Sequence, residues 1–110
     1  MTRDSVEFAT RDGADGVTEL ALSGRWTLRS MAAAGSDWSS RLLASARQPD
    51  IRWNCLAIEA LDSAGAMLLW RIWGRKLPAA LLIKPAHLHS FERIARAILL
   101  FLERKKLVVE

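Results

Sequence analysis

A carboxylate and a hydroxyl stand side by side at Asp62-Ser63-Ala64-Gly65, where the apolar run from Leu56 to Gly74 breaks and then resumes. Three kinds of chemistry fit that pair. The side-chain oxygens of Asp62 or Ser63 can cap a helix by accepting from its first unpaired amides. The Ser63 hydroxyl, at a helix N-terminus where the dipole favours negative charge, could receive a phosphate. The loop could also contact a partner directly. Gly65, at the first helical turn, permits close approach of another backbone. Nucleophilic catalysis lacks its second component. The two histidines, His87 and His89, are remote in sequence, and nothing sets a base beside Ser63. No paired acids, P-loop or GxGxxG pattern occurs. The expectation is a non-enzymatic chain with no catalytic residues.

Metal and redox chemistry are equally unsupported. His87 and His89 lie two apart without a cysteine or acidic ligand pattern around them. Cys55 is the only cysteine, so neither an internal disulfide nor a CxxC site can form. It is expected to be a small buried hydrophobe. No metal and no cofactor are expected.

The residues after the loop suggest a second functional feature. Successive helical residues turn by about 100°. Leu69, Ile72 and Trp73 then share one side, Met67 and Arg71 the other, with Leu68 and Trp70 between. Arg71 is the only charge from Ala64 to Gly74, so apolar surface extends beyond a core face. Trp and Arg anchor interfaces and Met adapts to a neighbour's shape. Met67, Trp70 and Arg71 are therefore the candidate partner-binding residues, and a helix buried on most sides by its own domain is the alternative.

The elements that position these residues follow from periodicity. Ser5–Thr10 alternates, Arg11–Gly16 is a Gly/Asp turn, and Val17–Gly24 alternates again, which reads as a β-hairpin ending at Gly24. Arg25–Gln48 holds one helix over its later part, with Trp38, Leu42 and Leu43 on a face and Gly35-Ser36 marking a weak start. Ile51–Ile58 is apolar on both sides, as a strand covered on both faces would be. Then come the Asp62–Gly65 loop, a helix over Ala64–Gly74, a short strand over Leu77–Ala86 closed by Pro85, and a helix over His87–Lys106. In that last helix Phe91, Ile94, Ile98 and Leu102 form the core stripe, Ala95 and Leu99 widen it, and Leu100 and Phe101 fall off it. The order ββαβαβα predicts an α/β domain with a mixed four-stranded sheet and helices mainly on one face.

At 110 residues the chain has the length of one domain, and 51% hydrophobic with 25% charged residues is ordinary globular composition. Five tryptophans and no tyrosine are more large rings than a small core hides, so some are expected at the surface or against a partner. The net charge of +4 is scattered except at Glu103–Lys106. Scattered charge is solubilising, and nucleic acid is not an expected partner. The N-terminus has no apolar signal core, and no segment approaches the roughly 18 apolar residues that span a bilayer.

The strand leading into Asp-Ser-x-Gly at a helix start, within this element order, resembles the STAS domain. The resemblance covers about Val6 to Leu102 and is most specific over Ile58–Leu69, "IEALDSAGAMLL". The anti-sigma-factor antagonists of that family carry adjacent hydroxyl residues in the loop, one of which is phosphorylated. Here Ala64 breaks the pair. Asp-Ser-Ala-Gly, the tryptophan-rich character and the basic end are more similar to the STAS domains fused ahead of MlaE-like permeases in Mla-type phospholipid ABC transporters. The resemblance implies a regulatory domain over residues 1–104, with 105–110 a basic tail or the start of a linker. It implies docking on the ABC ATPase subunit through Asp62–Gly65 and the following helix, and an MlaE-like permease continuing beyond Glu110. The implied place is cytoplasmic, at the inner face of the bacterial inner membrane. The alternative is an antagonist-like switch phosphorylated at Ser63.

Overall fold

A computed structural model describes residues 5–48 and 50–109; for residues 98, 99 and 101–109 only the helical backbone is described. The elements are β1 (Val6–Asp12), β2 (Thr18–Trp26), α1 (Leu28–Ala33), α2 (Asp37–Ala46), β3 (Arg52–Leu61), α3 (Ser63–Ile72), β4 (Leu81–Leu82) and α4 (Pro85–Val109). The sheet order is β1-β2-β3-β4. The opening hairpin is antiparallel, and β2-β3 and β3-β4 are parallel. The fold is the expected α/β class with a mixed four-stranded sheet, and its arrangement is consistent with the STAS-like order.

Alternation along the strands sorts the side chains. Leu20, Leu22 and Trp26 of β2 and Trp53, Cys55 and Ile58 of β3 are buried on one face. They meet Trp38 and Leu42 of α2, Ala66, Leu69 and Trp70 of α3, its C-cap Trp73, and Phe91 of α4 in one core. Burying an aliphatic or aromatic side chain of this kind contributes about 1.5–3 kcal/mol. The other face carries polar groups. Glu19, only 7% exposed, accepts from Arg11 at 2.8 Å, Arg52 at 3.1 Å and Asn54 at 3.4 Å. Arg52 also reaches Asp15 at 3.0 Å. The Arg11 hydrogen bond, with help from Asn54 and Arg52, holds the Glu19 carboxyl below its ordinary range.

Several expectations require correction. Strand β2 runs past Gly24 to Trp26, because Gly24 at φ 82° sits in a bulge and does not end the strand. The single helix expected within Arg25–Gln48 is two, separated at Gly35, whose φ of 85° suits glycine. Strand β3 is not covered on both faces. Its register shifts between Asn54 and Ala57, which moves the inward parity from Trp53 and Cys55 to Ile58 and leaves Leu56 46% exposed. Pro85 does not close the short strand expected over Leu77–Ala86, of which only Leu81–Leu82 is strand. It starts α4, where its missing N–H costs nothing, and β4 shrinks to two residues.

All five tryptophans are buried, none more than 7% exposed, against the expectation that some lie outside. Edge-to-face packing makes this feasible. Trp26 meets Trp38 at 5.8 Å and Trp53 meets Trp73 at 5.6 Å, while Trp73 tilts against Phe91 at 4.7 Å. The indoles of Trp26 and Trp38 donate to the carbonyls of Ser23 and Met31. Phe91, Ile94 and Ala95 of the expected α4 stripe face the core and Leu100 is 56% exposed. The side chains of Ile98, Leu99, Phe101, Leu102, Arg104, Lys105 and Lys106 lie outside the described part.

Candidate functional site

The loop expected over Asp62–Gly65 is a single residue: Asp62 alone joins the end of β3 to α3, whose first turn already contains Ser63, Ala64 and Gly65, and the polar residues there are divided between tasks. Asp62 is the N-cap of α3: its backbone is extended and Oδ1 accepts from the Gly65 amide at 2.9 Å. Its second oxygen, Oδ2, accepts from the Leu28 amide at 2.8 Å. Leu28 is the first residue of α1, so one carboxylate holds two helix N-termini together across 34 residues of sequence. A negative charge at two helix starts is also favoured by both dipoles. Thr27 completes the α1 cap by accepting from the Ser30 amide at 3.3 Å. Ser63, the first residue of α3, does not cap and is exposed.

Gly65 closes the arrangement. A Cβ built there would sit 1.9 Å from the Trp26 carbonyl oxygen. The end of β2 therefore crosses the first turn of α3 at a distance that only a residue without a side chain allows. The same carbonyl accepts from the Asp62 amide at 3.4 Å.

Two clefts flank α3. On one side a groove of about 540 Å³ is lined by Leu28, Met31 and Ala32 of α1, Trp38 and Ser39 of α2, and Ala64, Met67, Leu68 and Arg71 of α3. Arg71 is its only charged residue. Leu28 is 64% and Met67 37% exposed, so two large apolar side chains stand at the rim of this one groove. On the other side a cleft of about 530 Å³ brings Ser63 together with Ser90 and Arg93 of α4, beside Leu61, Asp62, Ala66, Ile94 and Ala97.

The structure thus gathers Ala64, Met67 and Arg71 on one groove, beside the Asp62 cap, and turns Ser63 to the opposite cleft. Trp70 does not join them. It is 7% exposed and belongs to the core, which corrects its placement among the partner-binding residues. The reason is α4. It packs against α3 and sets Phe91 on Trp73, three residues on from Trp70, within the same buried core. Leu28, Met31 and Trp38 were missed as groove residues. The signal for α1 was present in Thr27, a good cap residue before Leu28-Arg29-Ser30, but the link to Asp62 is long-range.

Among the described residues no cluster of His, Cys, Asp and Glu could hold a metal ion. His87 is partly buried, which together with Lys84 lowers its pKa. Burial pushes the Cys55 thiol up to about 12, so it is protonated and unreactive at neutral pH. No helix among the described residues is long and apolar enough to cross a membrane. No protein-family model matches the sequence, no curated protein is significantly similar to it, and no solved structure is significantly similar to its fold.

Proposed function

We propose that this chain is a non-catalytic docking domain whose groove between α1, α2 and α3 receives an apolar segment of a partner protein. One observation carries the reading. Large apolar side chains, Leu28 and Met67, are held exposed beside a single cation, Arg71, on helices pinned to each other by Asp62. Fixed apolar surface with one directional charge suits a partner helix that carries apolar residues and an acidic residue to meet Arg71. Following the STAS resemblance, that partner is the ATPase subunit of a phospholipid ABC transporter. The domain then sits at the cytoplasmic face of the bacterial inner membrane, attached to an MlaE-like permease. It tunes the assembled transporter and neither hydrolyses ATP nor carries lipid.

Co-purification with the ATPase encoded beside this chain tests the reading. Wild type is expected to retain the ATPase, Met67→Asp to lose it with its circular dichroism unchanged. Equal retention by both would refute the groove as the docking site. A second reading has its own observation: Ser63 is exposed at the start of α3 with Arg93 lining the same cleft, which suits a phosphate on that hydroxyl. In that reading the chain is a switch set by a kinase-like partner. Ser63→Glu would then change binding where Met67→Asp would not.

A further inference from the structure

The sheet has two edges, and they are built differently. Strand β4 is two residues long and is followed closely by Pro85, which leaves little to pair with. Strand β1 is seven residues long, contains no proline, and pairs with β2 without a register shift. It has no bulge and no proline and is not short; of the devices that protect an edge it carries only charged side chains, Glu7, Arg11 and Asp12.

The direction of its backbone groups is fixed by two hydrogen bonds. The Ser5 carbonyl accepts from the Arg25 amide, and the Gly13 amide donates to the Val17 carbonyl. Both belong to the register that pairs Glu7 with Ser23, Ala9 with Ala21 and Arg11 with Glu19. Odd-numbered residues therefore bond to β2. The amides and carbonyls of Val6, Phe8, Thr10 and Asp12 point to the open edge.

The charges on this strand complement their own reversed order. Glu7 and Arg11 flank Ala9 symmetrically, and all three project from the same sheet face. We infer that β1 pairs antiparallel with β1 of a second copy about a two-fold axis through Ala9, joining two sheets into one. In that register Glu7 faces Arg11 of the second copy, twice by symmetry, and Ala9 faces its own equivalent. Phe8 lies opposite Thr10 and Val6 opposite Asp12, and these are the residues whose backbone groups point outward, so the ladder closes. A parallel pairing would set Glu7 against Glu7 and Arg11 against Arg11, and like charges directly opposite are unfavourable. Shifting the antiparallel register by two residues leaves each charge opposite Ala9 or beyond the strand. The charges therefore favour this one arrangement. Glu7 is free to serve, since its contacts with Ser5 and Ser23 are long, at 3.4 Å. Arg11 bonds Glu19 through Nε, and its side chain is 64% exposed.

Cross-linking reads the register directly. Facing residues at a position without mutual hydrogen bonds have Cβ atoms about 5 Å apart or slightly closer, near the disulfide range. Under mild oxidation Ala9→Cys is expected to form a disulfide-linked dimer, while Glu7→Cys and Arg11→Cys, far from their own equivalents, form little. Cys55 does not interfere, being fully buried. Sedimentation of the unmodified chain is expected to show a monomer–dimer equilibrium. Thr10→Pro removes an outward amide without touching the β1-β2 ladder and is expected to weaken it about tenfold. Glu7→Lys is expected to weaken it to a similar degree. A chain that stays monomeric at every concentration, or an Ala9→Cys variant that cross-links no faster than Glu7→Cys, overturns the inference.

Discussion

Replacing Asp62 by Asn and by Ala separates the two bonds its carboxylate makes. In Asp62→Asn the remaining carbonyl oxygen can still accept from Gly65, as Asn is itself a good N-cap. The new NH₂ then faces the Leu28 amide, donor against donor. The lost bond was to a charged acceptor at 2.8 Å in an exposed position, where water can partly replace it. The cost is therefore at the low end of the range for such bonds, about 1.5 kcal/mol. Asp62→Ala loses that bond and the α3 cap together, the cap adding about 1 kcal/mol, for a total of about 2.5 kcal/mol. Urea unfolding followed by tryptophan fluorescence measures both, because all five indoles are buried and report on one core. An Asn variant as stable as wild type would refute the bridge between α1 and α3. An Ala variant no worse than Asn would refute the cap.

Other consequences follow from the same geometry. Gly65→Ala places a methyl against the Trp26 carbonyl, a backbone atom that cannot swing aside, and is expected to cost about 3 kcal/mol and lower the melting temperature by about 10 °C; a melt within 2–3 °C of wild type, roughly, would contradict the close approach. The Cys55 thiol, fully buried with its pKa pushed up to about 12, is expected to resist thiol reagents at neutral pH until the chain unfolds. Rapid labelling of native protein would contradict its burial. The Glu19 carboxyl has a folded pKa below its ordinary 4.5, chiefly through Arg11. Its contribution is present above that value and is lost as pH falls through the folded pKa, so Glu19→Gln should flatten the loss of stability below about pH 4.5. An unchanged acid limb would show that the network does not stabilise the fold.

How much of this was legible depends on range. The helix after Asp62 and its cap were readable because capping and period are local signals, although the four-residue loop expected at Asp62–Gly65 is only the cap residue itself. The chain order βαβα fixed a largely parallel sheet for the same reason. What escaped was set by contacts between distant segments. The bulge around Leu56 and Ala57 flips the parity of β3, and a two-residue period cannot reveal it. Gly35 was seen as a weak point, but whether a helix existed before it depended on Thr27 and on Asp62, 34 residues away from Leu28. Trp70 was placed among the partner-binding residues because a helical wheel cannot tell which intermediate positions the rest of the domain buries. Leu28 and Met31 joined the groove only once α1 existed. The Glu19 network was invisible because Arg11, Asp15, Arg52 and Asn54 meet it from three segments.

The central claim is that the groove lined by Leu28, Met67 and Arg71 is the docking surface, and that the Ser63 cleft across α3 is not. Isothermal titration of the purified neighbouring ATPase with wild type, Met67→Asp, Arg71→Glu and Ser63→Glu tests it most directly. The account predicts that Met67→Asp and Arg71→Glu each weaken binding at least about tenfold, as loss of an interface anchor does, while Ser63→Glu leaves it within about twofold. Loss of binding by Ser63→Glu alone, with the two groove variants indistinguishable from wild type, would contradict the claim and move the function to the Ser63–Arg93 cleft.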